Sequence, residues 1–83
     1  MDLRTDEFEQ FYQKLKTLSD NEIIECFNNQ VGVKGWNIKR HNYLNALVQQ
    51  MKNRGMDISE IGDNDGVSFK SKVTIFEGKV RIL

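Results

Sequence analysis

Cys26 and His41 are the only cysteine and the only histidine in the chain. A thiol beside an imidazole is the minimum for nucleophilic catalysis, and the same two residue types are the preferred ligands of zinc. One of each leaves a tetrahedral metal site short of ligands unless carboxylates complete it. It also leaves a catalytic pair without a third group to orient the base. The expectation is that Cys26 packs as a small apolar residue beside Phe27 and that His41 flanks the core. No catalytic residue, metal ligand or cofactor is expected, and an enzyme ranks behind a binding module.

Other groupings fail on spacing. Asp63-Asn64-Asp65-Gly66 has the look of a calcium loop, but placing Gly66 at the loop's glycine puts its first ligand on Ile61 and its last on Lys72. Neither side chain binds calcium, so a solvated acidic turn is expected. Gly32-Val33-Lys34-Gly35 is too short for a phosphate-binding loop and lacks a strand–loop–helix frame. Asp6, Glu7 and Glu9 fall in a charged stretch where nothing would desolvate them, so they read as a solvated face.

The charge layout carries more information. Net charge is zero, yet residues 31–56 contain five basic residues and no acid, whereas residues 1–30 contain seven acids and three bases. Within the basic block, Lys39, Asn42, Ala46, Gln49, Gln50 and Asn53 fall opposite Leu44, Leu47 and Met51 on a helical wheel. Amides pair bidentately with adenine edges and lysines find phosphates, so such a strip suits DNA or RNA. Lys39, Asn42, Gln49, Lys52 and Asn53, joined by Lys79 and Arg81 near the C-terminus, are the candidate nucleic-acid contacts. Arg40 falls at the edge of the apolar stripe and is expected to pair with an acid of the first two helices. Trp36 and Tyr43 are expected to close one end of the core rather than to stack on bases.

Three helices and a hairpin must position these residues. Phe8, Phe11, Tyr12, Leu15 and Leu18 recur at helical spacing over residues 5–18, with Thr5 as the expected N-cap. Ser19-Asp20-Asn21-Glu22 has the spacing of a capping box and predicts a second helix to about Gln30, with Ile23, Ile24 and Phe27 inward. Gly32 and Gly35 mark a loop. Asn37 is placed to cap a third helix from Ile38 to Arg54, whose expected inner stripe is Leu44, Leu47, Val48 and Met51, and Gly55 is placed to end it. Residues 57–66 read as turn-rich, with a strand or single helical turn at Ile58–Ile61. The period then becomes two: Val73–Phe76 and Lys79–Leu83 flank a Glu77-Gly78 turn and predict a β-hairpin. A further strand around Val67–Lys70 is expected to pair with it.

The fold class expected is α+β, a three-helix unit followed by a C-terminal antiparallel β-hairpin, in a single domain over residues 1–83. With 39% apolar and 29% charged residues the composition is that of a globular chain. One cysteine permits no internal disulfide, and no apolar run is long enough to span a bilayer. A cytoplasmic location without membrane contact is therefore expected.

The element order resembles a winged-helix domain, which implies that the third helix enters the major groove and that Val73–Leu83 is the wing. The string Phe27-Asn28-x-Gln30-Val31-Gly32-x-x-Gly35-Trp36-x-x-x-Arg40-x-x-Tyr43-Leu44-x-Ala46-Leu47 resembles small bacterial proteins of the Bacteroidetes group to which no activity is assigned. That resemblance implies no site residue. The alternative to nucleic-acid binding is a protein–protein adaptor or small homodimer, with a neighbour's strand added to an open hairpin edge at Lys79–Leu83.

Overall fold

A computed structural model describes residues 3–35, 37–63 and 66–83. It contains helices α1 (Leu3–Lys16), α2 (Asp20–Gln30) and α3 (Ile38–Asn53), then strands β1 (Gly62–Asp63), β2 (Gly66–Val67), β3 (Val73–Phe76) and β4 (Lys79–Ile82). The α+β class is as expected, with three helices followed by a C-terminal antiparallel hairpin. Trp36 lies outside the described residues.

Local chemistry accounts for the element boundaries. Glu22 N–H donates to Ser19 Oγ at 3.2 Å and Ser19 N–H donates to Glu22 Oε1 at 3.0 Å, closing the capping box that starts α2. That pair of bonds holds the Glu22 carboxyl below its usual pKa. Arg40 N–H donates to Asn37 Oδ1 at 2.7 Å, which caps α3, and Gly55 at φ 76° follows the C-cap Arg54. Helix α1 begins at Leu3, so Thr5 sits inside its first turn rather than at its N-cap. Glu77 and Gly78, at φ 52° and 78°, form the two-residue turn whose twist matches antiparallel strands.

The segment after α3 meets one expectation, a single turn at Ile58–Ile61, and departs from another. Residues 58–61 form a single turn, with Ile61 N–H donating to Ile58 C=O at 3.0 Å. The strand expected at Val67–Lys70 is shorter and pairs elsewhere: β2 pairs with β1, not with the hairpin. Gly62 makes this ribbon possible, because a β-carbon there would collide with the Gly66 carbonyl oxygen. The hairpin gains a third rung from another source. Asp57 N–H donates to Gly78 C=O and Val80 N–H donates to Asp57 C=O, at 2.9 and 2.8 Å, tacking the exit of α3 onto β4.

The core joins the helices to one face of the hairpin. Ile23, Phe27, Ala46, Leu47, Met51 and Val80 are fully buried, with Leu15, Ile24, Met56, Ile61 and Val73 nearly so. Phe27 stacks on Phe69 at 4.4 Å, so the residues after β2 are anchored to α2. Asn28 holds β3 from the side: its Nδ2–H donates to Val73 C=O at 2.9 Å and its Oδ1 accepts Val73 N–H at 2.8 Å. One amide side chain thus takes the place of a neighbouring strand at that position of the sheet edge.

Candidate functional site

The orientation of α3 decides which side chains are available to a ligand. Half of the expected outer strip is turned inward. Asn42 is 2% exposed, Ala46 0% and Gln50 5%, and all three belong to the buried face of α3 along with Leu47 and Met51. Leu44 and Val48, expected in the core, are only half-buried. Relative to the sequence reading, the helix is rolled by roughly one residue step of 100°.

The packing partners explain the roll. Helix α1 makes its main tertiary contact along α3. Ala46 has no side chain beyond Cβ, so it lets the two helices approach closely where a leucine would hold them apart. Asn42 is uncharged and has a partner, its Nδ2–H donating to Glu7 Oε1 at 3.2 Å. Gln50 Oε1 accepts from Arg54 Nε–H at 2.8 Å, while its Nε2 has no hydrogen-bond partner.

The seven candidate residues therefore separate. Asn42 lies between α1 and α3 and cannot meet a base edge. Asn53 is exposed but engaged, donating to the Tyr12 hydroxyl at 2.6 Å and accepting from Gln49 at 3.1 Å. Lys39 borders a shallow depression of 300 Å³ with Phe11, Val33 and Tyr43. Lys79 and Arg81 are on the hairpin beside acids. Arg81 Nε is 3.4 Å from Glu60 Oε2, and Lys79 faces Asp57, whose carboxyl is held below its usual pKa mainly by hydrogen bonds from Ser59 and also by that lysine. Of the seven, Gln49 and Lys52 line one groove together, which the sequence reading did not foresee.

That groove runs beside α3. A depression of 540 Å³ is lined by His41, Leu44, Asn45, Val48, Gln49 and Lys52 of α3, by Phe8 of α1 and by Gly66, Val67 and Phe69. It meets a second depression of 490 Å³, which shares Leu44 and Phe69 and continues past Arg40 to Lys34 and Lys70. His41, Asn45 and Lys52 join Gln49 of the predicted strip as exposed polar side chains along this groove. The Asn45 amide and the His41 ring are 3.1 Å apart. Across both depressions the described lining residues include Lys34, Arg40, His41, Lys52 and Lys70 and no acid.

Among the described residues, Arg40 pairs with no acid. Its guanidinium donates to Gln30 Oε1 at 3.2 Å and, at 3.5 Å, to the carbonyls of Gln30 and Gly35, tying the 31–37 loop to α3. The arginine that reaches the first two helices is Arg54. Its Nη1–H donates to Asp20 Oδ1 at 2.9 Å, and its Nη2 donates to the carbonyls of Leu15, Lys16 and Leu18 at the end of α1. Leu15 C=O also accepts Leu18 N–H at 3.0 Å, and Arg54 thus joins the end of α1, the start of α2 and the end of α3 at one point.

Cys26 and Tyr43 form the other chemically notable pair. Burial, then the hydrogen bond and charge of the nearby Cys26, push the Tyr43 hydroxyl up to about 12. Tyr43 also packs edge-on against Phe11 at 5.3 Å, so it closes the core as expected. Among the described residues, no group of three or more His, Cys, Asp or Glu side chains could hold a metal ion, and no helix is long and apolar enough to cross a membrane. Compared with protein-family models, curated proteins and solved structures, the chain matches none.

Proposed function

We propose that this chain is a non-catalytic binding module for nucleic acid and that the groove beside α3 is its contact surface. One observation carries the reading: the described residues lining the groove supply the four cations Lys34, Arg40, Lys52 and Lys70 and no acid, although the chain as a whole is neutral. A run of cations is what a polyanion selects, because binding then releases the polyanion's own counterions. Asn45 and Gln49 add neutral donors and acceptors for sugar or base. The hairpin cations are secondary in this reading, since Asp57 and Glu60 already offset them.

The test is fluorescence anisotropy of a labelled oligonucleotide of mixed sequence at low salt. Binding is expected and should weaken steeply as salt is raised. Reversing the exposed groove lysines together (Lys34→Glu, Lys52→Glu, Lys70→Glu) should weaken it by roughly tenfold or more without moving the thermal midpoint much. Reversing Lys79 and Arg81 instead should have the smaller effect. Unchanged affinity in the groove triple would remove the reading. A protein-contact role for the hairpin is the second reading, favoured by the exposure of Phe76 (64%) and Leu83 (76%).

A further inference from the structure

Resting on the nucleic-acid reading, we infer that the groove takes a single strand rather than a duplex. The reason is the apolar character of what lies between its cations. Leu44, Val48, Val67 and Phe69 are all half-buried and all line the groove, and Phe8 presents a second aromatic ring to it. A duplex meets a protein with phosphates and sugars, and its bases are reachable only by an element that enters a groove of the nucleic acid. Helix α3 is poorly suited to that task, because its exposed face forms one wall of a depression shared with Phe8, Val67 and Phe69 rather than standing clear of the surface.

A single strand presents the complementary pattern. Its bases have apolar π-faces that stack on aromatic rings, while its backbone follows a line of positive charge. Here Lys52 stands in one depression, Lys34 and Lys70 stand in the other, and Leu44 and Phe69 are common to both. The two depressions, 540 and 490 Å³, are open to solvent and each has room for a base with its sugar. The groove therefore offers two adjoining open depressions, with cations along their margin for the phosphates.

The experiment compares a labelled single-stranded DNA of about 12 nucleotides, within the range one small domain covers, with the same strand annealed to its complement. The single strand is expected to bind at least tenfold more tightly at equal salt. Phe8→Leu, which keeps apolar bulk but removes the π-face, should weaken single-strand binding by roughly fivefold or more, the low end of what one lost stacking partner costs. The same change should weaken duplex binding much less, because a duplex does not offer its base faces to the ring. Equal or tighter binding of the duplex overturns this inference while leaving the nucleic-acid reading standing. Unaltered single-strand affinity in Phe8→Leu, with the fold intact by circular dichroism, also overturns it. Failure of both forms to bind overturns the reading beneath it as well.

Discussion

Ala46→Glu is expected to unfold the domain or nearly so, whereas Asn45→Glu, one residue earlier, should leave its stability within about 0.5 kcal/mol of the parent. Ala46 is 0% exposed on the face of α3 that meets α1, and Asn45 is exposed in the groove. A glutamate at position 46 must either bury a carboxylate with no cation to meet it or push α1 away. An uncompensated buried charge costs roughly 3–5 kcal/mol, and a chain of this size has only about 4–12 kcal/mol to lose. Ala46→Leu is the milder companion and should cost roughly 1–3 kcal/mol through overpacking. Were Ala46 on the outer strip, as helical periodicity alone suggests, all three substitutions would be nearly silent. Thermal or urea unfolding of the three variants separates the two orientations of α3.

Arg54→Met should be the next most damaging change. The side chain is 17% exposed, and its guanidinium serves Gln50, Asp20 and three carbonyls at the end of α1. Methionine keeps much of the apolar stem, so the loss isolates the polar head. A hydrogen bond to a charged group contributes roughly 1.5–3 kcal/mol, and the carbonyls that lose it add a desolvation cost where water cannot reach them. Together these predict a loss of roughly 2–4 kcal/mol, a fall in thermal midpoint of the order of 10–20 °C for a domain of this length. Arg54→Lys should recover only part of it, because an ammonium cannot fan out to that many acceptors. By contrast Arg81→Met, which loses only an exposed 3.4 Å pair with Glu60, should be close to neutral.

These two residues also show what the sequence conveys and where it stops. Boundaries set by local chemistry were legible: Ser19 and Glu22 close their capping box, Asn37 caps α3, Gly55 ends it, and Glu77-Gly78 turns the hairpin. Each depends on residues within a few positions of one another. The roll of α3 was not legible, because a wheel ranks residues by apolarity and places Leu44 and Val48 inside ahead of Ala46 and Asn42. Packing uses a different criterion. A small residue is favoured where helices cross closely, and an amide is tolerated where a partner such as Glu7 waits for it.

Long-range side-chain bonds were equally hidden. Arg54 reads in the sequence as one more cation of the basic block, and Asn28 reads as an ordinary polar residue of α2. Nothing near them in the chain announces the end of α1 or the edge of β3. The groove itself was half legible. The acid-free block flagged Gln49 and Lys52 correctly as exposed, but the wall supplied by Val67 and Phe69 depends on the Phe27–Phe69 stack, which joins residues 42 positions apart.

The most direct measurement is a titration of isotope-labelled protein with unlabelled single-stranded oligonucleotide, followed residue by residue in amide and methyl NMR spectra. Shifts concentrated at Leu44, Asn45, Val48, Gln49 and Val67, with Lys39, Asn53 and the hairpin quiet, are the predicted result. Shifts confined to the hairpin or to the Lys39 end of α3, or a spectrum that does not change at all, would contradict the assignment of the groove.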